Sequence, residues 1–438
     1  MTNLRPFVVL EAATVLSGTA AGITMVAFPW LVLQTTGDAT AAATIAAASA
    51  IPLLLSMLVA GAIVDRIGRR RVAVASDVFS MLSVALVPLL GAHLGMSFGF
   101  LLAVAALSAT FDPAGLTARQ SMLPEAAYEA GLGLERANGI HESAYGFAFL
   151  LGPGIGGLLI GLVGPTATFW ATAAAFGLSA LLLALTRMPG GGRPVVHEDR
   201  PSLLSSTREG LSFLWRDRVL RAVALLFTLL VAVWLPIEGV ILPVHFTEID
   251  DPTQLGLLIT AMSAGGVVGA LLYAAIGKRI SRRTAFLVSL IGCSLPVLAL
   301  ATLPAYTTML VLGVLTGLFF GAVNPISNLV MQIRTPEAMR GRVIGVMGSA
   351  AYAAGPVGYL VAGPLIDRFG VQHVFLGFAV LLLVVSVAAA FMPSLRGLDD
   401  PPLPGAAVDV DDVGLDHLGV DQNVREVEAE HVAGMLRG

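Results

Sequence analysis

Five acidic residues lie within long apolar stretches of this sequence, where an ionised side chain is costly: Glu11, Asp77, Asp112, Glu142 and Glu238. A charged group at the centre of a membrane helix costs about 3 kcal/mol on insertion scales, so such residues usually mark proton, ion or substrate sites. No lysine or arginine falls well inside the same stretches. The five acids are therefore candidates for a proton or substrate site.

Glu238 lies deepest in its apolar stretch. It follows Pro236 by two residues, and a proline interrupts the helical hydrogen bonds and frees backbone groups. Because no basic side chain is within reach along this helix, burial should favour the protonated carboxyl. The sequence indicates Glu238 as the first candidate for a proton or cation site and Glu11 as the second, with a cavity-lining polar role as the alternative for Glu238.

The remaining acids also have structural interpretations. Asp77 and Glu142 fall about one turn from the predicted starts of their helices, where the helix dipole stabilises a carboxylate. Asp112 precedes Pro113, and its partner in an internal repeat is Asn324, which has the same shape but does not ionise. The pair predicts a hydrogen-bonding role in both halves of the chain, with a proton role open to Asp112.

The composition requires a membrane as solvent. Hydrophobic residues make up 56% of the chain and charged residues only 12%, whereas a soluble domain carries about 25% charged residues. A membrane helix needs roughly 20 apolar residues. We therefore predict an all-α polytopic membrane protein whose spans lie at about 6–34, 41–64, 72–92, 97–118, 138–162, 167–187, 219–244, 255–276, 284–303, 306–329, 342–366 and 372–392.

Several functional classes are excluded by the same inspection. The single cysteine, Cys293, provides neither a disulfide framework nor a cysteine metal site, and no basic patch with interleaved aromatics indicates nucleic acid. Gly277-Lys278 lacks the upstream glycine of an ATP-binding loop. We expect no enzymatic activity, no metal and no cofactor, and we expect a monomer whose partners are the lipid bilayer, a small-molecule substrate and protons.

The basic residues predict the orientation of the chain. If both termini are cytoplasmic, 24 of the 25 lysines and arginines lie inside, and only Arg368 lies outside. Cytoplasmic loops of membrane proteins carry such an excess of basic residues. The expected location is the inner (plasma) membrane of a bacterial-type cell, with multiple passes.

The second half of the chain repeats short motifs of the first half in the same order and at nearly constant separation. The matches are Asp38-Ala-Thr40 with Asp251-Pro-Thr253, Arg69-Arg70 with Arg282-Arg283, Asp112-Pro113 with Asn324-Pro325, Pro124-Glu125-Ala126 with Pro336-Glu337-Ala338, and, at a somewhat shorter separation, Gly152-Pro153 with Gly355-Pro356. Both copies start on the same side of the membrane. Two such parallel six-helix repeats around a central site are typical of alternating-access transporters.

The repeat predicts four parts in the chain: a six-helix bundle over 1–188, a central loop over 189–218, a second bundle over 219–392, and an acidic tail over 393–438. In the loop, Ser206-Thr-Arg-Glu209 is a capping-box pattern, and the face formed by Leu211, Leu214 and Trp215 favours a short helix on the inner leaflet, with a solvated linker as the alternative. We expect the tail to be disordered. A metal site there, at Asp416, His417 and His431, is the less favoured interpretation.

Small residues cluster in the fifth and eleventh spans. Gly152, Pro153, Gly156 and Gly157 interrupt the fifth, and Gly355 and Pro356 interrupt the eleventh. Small residues let helices approach closely in a membrane. We expect close packing at both sites, and a bend that shapes two conformational states.

A charged turn separates the second and third spans. Gly61 and Asp65 precede it, Gly68 permits a tight reversal, and Arg66, Arg69, Arg70 and Arg71 surround it. The pattern Gly61-x-x-x-Asp65-Arg66-x-Gly68-Arg69-Arg70 resembles the loop signature of the major facilitator superfamily, which is highly specific when twelve spans accompany it. Gly152-Pro153-x-x-Gly156-Gly157 resembles the fifth-helix signature of antiporters in that superfamily. Leu123-Pro124-Glu125, Arg136-Ala137-Asn138 and Arg340-Gly341-Arg342 resemble the branch that holds macrolide, tetracycline-type and enterobactin exporters.

The resemblance covers about residues 5–392 and implies a gate. Asp65 would tie the second and third helices to the eleventh in the outward-facing state, with Arg66 and Arg69 or Arg70 in the same network. Two departures stand out: the fourth helix lacks the arginine of the proton-transfer signature, and Lys278 stands where the second-half loop would carry aspartate. Because of the first departure, the resemblance does not identify the proton-coupling site. The second departure indicates that the two halves of the chain contribute differently to gating.

These features lead to a hypothesis of proton-coupled export of hydrophobic or amphipathic small molecules. The alternatives are a dedicated exporter of a siderophore or other metabolite, a lysophospholipid flippase, and a membrane receptor or scaffold that works through the acidic tail.

Overall fold

A computed structural model describes residues 3–187, 203–336 and 339–400. Its helices are α1 (Arg5–Thr36), α2 (Ala39–Ile67), α3 (Arg69–Leu94), α4 (Phe98–Ala130), α5 (Leu134–Val163), α6 (Pro165–Leu185), α7 (Leu203–Arg216), α8 (Arg218–Pro236), α9 (Leu242–Glu248), α10 (Pro252–Ile276), α11 (Arg282–Leu300), α12 (Tyr306–Phe320), α13 (Val323–Arg334), α14 (Arg340–Phe369) and α15 (Val371–Ala390). A π-helix (Ile237–Ile241) joins α8 to α9, and 3₁₀ turns cover Gly277–Arg279 and Pro393–Asp399.

Within the described ranges, twelve helical segments are long and apolar enough to cross a membrane. The predicted all-α, twelve-span architecture is confirmed. Two spans are broken in the middle. Pro236 is followed by the π-helix in the seventh span, and the tenth span changes from α12 to α13 at Gly321 and Ala322.

Two local predictions were wrong. The fourth span does not end near residue 118, because α4 continues to Ala130 and buries Ala118, Met122 and Ala126 in the first bundle. The capping box at Ser206 does not start a helix, because α7 already begins at Leu203. Glu209 instead forms an ion pair with Arg342 of α14.

The apolar face predicted for α7 is buried at one residue and exposed at the other two. Leu214 is buried, whereas Leu211 and Trp215 are exposed. The backbone of Arg342 lies against Gly210 at a distance that leaves no room for a side chain. A helix therefore forms in the central loop, and one side of it packs on α14.

The two bundles share the same side-chain hydrogen bonds at the start of one helix and at the end of another. Asp38 accepts hydrogen bonds from the first backbone N–H groups of α2, and Asp251 does the same for α10. Arg70 donates to the carbonyl oxygens of Leu183 and Ala184 at the end of α6, and Arg283 donates to Ala390 O at the end of α15, 3.2 Å away. In each bundle, an arginine that follows the loop thus caps the last helix.

The structure shifts one of the repeat matches. Gly152 lies against Thr19 O of α1, and Gly358, not Gly355, lies against the equivalent Ala232 O of α8. Because α5 and α14 both have 30 residues, aligning their first residues also places Gly152 on Gly358. The predicted match of Gly152 with Gly355 was therefore wrong by almost one helical turn.

The bundles contact each other at the end of the molecule that carries the turn at Gly37, opposite the arginine-rich end that carries Gly68. The backbone N–H groups of Ala39 and Thr40 donate to the carboxylate of Asp367 at 3.1 and 3.0 Å. The hydroxyl of Thr260 on α10 donates to Leu150 O on α5 at 3.1 Å. The end opposite the arginine-rich loop is closed by α2 against α14 and α5 against α10.

The first residues of the acidic tail are ordered, contrary to prediction. Leu395 and Leu398 are buried, and Arg334 donates to Gly397 O at 2.8 Å. Arg282 donates to Leu398 O and Asp400 O. Residues 393–400 therefore dock on the second bundle, while the candidate metal residues Asp416, His417 and His431 lie outside the described residues.

Candidate proton and substrate site

Glu238 lies in the π-helix, where the backbone break predicted from Pro236 occurs. Trp234, one turn earlier, donates its indole N–H to Glu238 Oε2 at 3.2 Å. The indole stacks on Phe320 with ring centroids 4.9 Å apart and planes 9° apart. Tyr359 packs against the backbone of Gly239, its hydroxyl 2.9 Å from the position that a Cβ would take. A carboxyl group next to three aromatic rings can bind a proton or the cationic part of an amphipathic molecule.

Asp77 belongs to a buried polar cluster and not to a helix end. It lies eight residues after the first residue of α3. Arg119 Nη1 donates to both of its carboxylate oxygens at 3.0 and 3.2 Å, and the hydroxyls of Ser17 and Ser179 donate to them at 2.9 and 2.6 Å. Four helices, α1, α3, α4 and α6, meet in this cluster.

Arg119 corrects the expectation that no basic residue lies well inside a span. It lies well before the end of the extended α4 and is 5% exposed. Its Nη2 donates to Ser17 Oγ at 3.0 Å, and its Nε has no hydrogen-bond partner among the described residues. The fourth span therefore contains a buried arginine, which the sequence assigned to the cytoplasmic side.

Glu11 is buried and has a partner that sequence reasoning missed. Both of its carboxylate oxygens lie 3.1–3.2 Å from His141 Nδ1, on α5. His141 is 2% exposed. An ionisable residue within a predicted span and adjacent to Glu142 was the signal that could have identified it.

The two residues of the Asp112–Asn324 pair have different surroundings. Asp112 accepts a hydrogen bond from the hydroxyl of Ser80 at 2.6 Å. Asn324 is exposed at the second position of α13, directly after the break in the tenth span. The equivalence predicted from the repeat does not extend to their environment.

Glu142 is exposed on α5, eight residues after the helix begins. Gly139 and Gly146, on either side of it, have no heavy atom within 4 Å of an added Cβ. The face of α5 that carries Gly139, Glu142 and Gly146 is therefore open, whereas His141 on the same half of the helix is buried.

The charged turn has the predicted backbone. Gly68 has φ 102° and joins α2 directly to α3. Arg69 forms an ion pair with Glu125 of α4, and Arg70 caps α6, so both arginines bind within their own bundle. Arg66 is exposed, and Gly61 has open space around it.

The glycines of α5 face two different helices. A Cβ on Gly152 would lie 2.7 Å from the Cα of Gly22, and one on Gly156 would lie 3.1 Å from the Cα of Ile23, both on α1. A Cβ on Gly157 would lie 2.3 Å from Pro252 O and 2.9 Å from the Cα of Gly256, on α10. In α14, Gly355 faces Leu235. Both α5 and α14 continue without a break through Pro153 and Pro356.

Comparison with known proteins decides the family. The Major Facilitator Superfamily model matches residues 10–249 and 237–412, which together span most of the chain. This chain belongs to the Major Facilitator Superfamily. The sequence-based expectations of this superfamily, of twelve spans and of a membrane transporter are therefore confirmed.

Individual members of the superfamily are similar over most of their length. A multidrug efflux pump, Tap, from Mycolicibacterium fortuitum is 43% identical over 404 residues, which cover 91% of this chain and 99% of that protein. Macrolide efflux protein A from Streptococcus pyogenes is 23% identical over 77% of this chain and 84% of its own. Among solved structures, the nucleoside transporter NupG has a TM-score of 0.73 at 13% identity, covering 89% of this chain and 98% of that one, which shows the shared fold.

Proposed function

We propose that this transporter exports hydrophobic or amphipathic small molecules, cationic ones in particular, in exchange for protons by alternating access. The observation that carries the proposal is the partly buried carboxyl of Glu238 beside the stacked rings of Trp234 and Phe320, at the π-helix that interrupts the seventh span. A proton and an organic cation would compete for this carboxyl, so binding one would release the other. The Tap pumps, which match almost the whole chain, support drug efflux.

The arginine-rich end faces the cytoplasm in this proposal, because basic residues collect on the cytoplasmic side of membrane proteins. Both chain termini then lie inside. The contacts of α2 with α14 and of α5 with α10 close the outer end, so the described conformation separates Glu238 from the outside.

Replacing Glu238 with glutamine tests the coupling site. We expect E238Q to lose transport of a fluorescent cation driven by a proton gradient in inverted membrane vesicles, and to bind the cation more weakly, because the amide neither carries a negative charge nor exchanges a proton. The control is E248Q, because Glu248 is an exposed acid at the end of the same span. Unchanged pH dependence of transport in E238Q would remove Glu238 as the coupling site.

The gate is a separate part of the proposal. We infer that Asp65 holds the inner end closed in one state, with Gly61, Arg66 and Gly68 shaping the turn and with Arg69 and Arg70 anchoring it to α4 and α6. D65N should abolish drug export from cells without lowering the amount of protein in the membrane. Export at the wild-type level would contradict a gating role.

A further inference from the structure

The repeat provides an internal control for the buried polar residues of the first bundle. Equivalent positions in the two bundles follow from three alignments. The match of Arg69 with Arg282 aligns α1 with α8 and α3 with α11, and the match of Asp112 with Asn324 aligns α4 with α13. The first residues of α5 and α14 align these two helices with each other. In these alignments Ser17, Asp77 and Arg119 correspond to Leu230, Leu290 and Met331. All three residues of the second bundle are buried in its hydrophobic core.

The same comparison applies to Glu11 and His141. Their equivalents are Ala224 and Met347, which are also buried in the core. The fold therefore accommodates apolar side chains at these positions. Since replacing buried ionic groups with apolar ones is often neutral or stabilising, the requirement to fold does not explain the Glu11–His141 pair.

The geometry of the pair determines where a proton can bind. When Glu11 is ionised, its carboxylate only accepts hydrogen bonds, and His141 Nδ1, which lies 3.1–3.2 Å from both oxygens, is then the donor. A further proton then adds at Nε2. That atom is buried and has no hydrogen-bond partner among the described residues.

Two of the charged groups on α4, near the pair, form ion pairs with residues of α3. On the helices that pack against α1 and α5, Arg119 pairs with Asp77, and Glu125 pairs with Arg69. No charged residue occurs in α6 or α10. The remaining titratable or charged groups on the packed elements are Arg5 on α1, Asp65 and Arg66 on α2, Asp112, Tyr128 and Glu129 on α4, Glu135, Arg136, Glu142 and Tyr145 on α5, Glu238 on the π-helix, His245 and Glu248 on α9, and Tyr273 on α10. With neutral His141 the pair has a net charge of −1, and one proton makes it neutral.

We propose that the Glu11–His141 pair is a second proton-binding site of the transport cycle, located in the first bundle. A hydronium ion transfers a proton to Nε2 of His141: one O–H bond of the hydronium breaks, one N–H bond forms, and a water molecule is left. The resulting imidazolium forms a charge-assisted hydrogen bond with Glu11 between α5 and α1. The site rests on the proposed proton-coupled function and adds a second group to it. Because α5 also packs on α10 of the other bundle, from Leu150 onward, a proton that strengthens the α1–α5 contact acts on a helix that forms the interface that must open.

The test places the residues of the second bundle into the first. We would purify E11A/H141M, a replacement that the fold already contains at Ala224 and Met347, and measure protons released when ethidium binds, using a pH-sensitive dye between about pH 5.5 and 8. We expect ethidium binding and thermal stability to be kept, and proton release to fall by about one per bound ethidium over this pH range. Release equal to that of the wild type would overturn the proposal.

The outcomes separate this site from Glu238. If E238Q lowers proton release and E11A/H141M does not, the proposed function stands and the second site is refuted. If the wild type releases no proton, the proposed coupling itself fails. Should E11A/H141M not fold, H141N answers the same question, because its amide nitrogen takes the place of Nδ1 and can donate to Glu11 but binds no proton. A merely structural histidine predicts wild-type proton release in H141N, and a proton site predicts its loss.

Discussion

Adding one methyl group at Gly157 should push the two bundles apart at their closed end. In the structure, the new Cβ would lie 2.3 Å from Pro252 O and 2.9 Å from the Cα of Gly256. Both are backbone atoms of α10, so no side chain can rotate away. The two helices must therefore separate, and the contact that closes this end is the contact that is lost.

The size of the effect follows from the overlap. Carbon atoms in contact sit about 3.5–4.0 Å apart, so α5 and α10 must move by roughly 1 Å. Overpacking of this kind costs about 1–3 kcal/mol. In the alternating-access cycle proposed above, α5 and α10 separate at this end in the opposite state, so the cost falls on the state in which this end is closed. The equilibrium between the two states should then shift about 5- to 150-fold toward the one that is open at this end.

Spin labels can measure the shift. One pair, at Leu162 and Asp250, reports the end closed in the structure, and a second pair, at Tyr128 and Arg279, reports the arginine-rich end; all four residues are exposed. The buried thiol of Cys293 is first replaced by alanine. In G157A we expect longer distances for the first pair and shorter distances for the second.

The matched control is G146A, on the same helix, where an added Cβ meets no atom within 4 Å. G256A should act like G157A, because its Cβ would lie 2.4 Å from Pro153 O. Distance distributions for G157A and G256A that coincide with those of the wild type and G146A would refute the argument that these glycines set the closed state.

Three further predictions concern stability. D77L removes the carboxylate that pairs with the buried Arg119 and should lower the free energy of unfolding, measured by denaturant titration in detergent, by about 3–5 kcal/mol. D77L/R119M, which copies the residues of the second bundle, should recover most of this loss. Equal stability of D77L and the wild type would contradict the buried ion pair. R70A and R283A remove hydrogen bonds from a guanidinium to the last carbonyl groups of α6 and α15, and each should lower the free energy of unfolding by about 1.5–3 kcal/mol. R71A is the exposed control in the same measurements. A loss no larger than that of R71A would contradict the capping role. A chain that ends after Asp400 should melt at the same temperature as the full protein. A chain that ends after Met392 should melt at a lower temperature, because it loses the buried Leu395 and Leu398. Identical melting temperatures of the two truncated chains would show that residues 393–400 contribute nothing to stability.

The sequence by itself determined the features that depend on local composition and spacing. Apolar runs of sufficient length predicted the twelve spans, and the repeat of Arg69-Arg70 as Arg282-Arg283 predicted two related bundles. Pro236 predicted the interruption beside Glu238, and Gly68 predicted the reversal between α2 and α3. Each of these signals lies within a few neighbouring residues, so none needs the rest of the chain to be placed.

Tertiary structure decided which polar groups meet. His141 and Glu11 lie far apart in the sequence, and Arg119 reaches Asp77 and Ser17 across three helices. The apolar run of the fourth span ends before Arg119, so composition alone placed this arginine outside the membrane. The packing of the rest of α4 against the first bundle buries it beside Asp77. Partners that lie on separate helices are brought together by helix packing, and that geometry cannot be read from either helix alone.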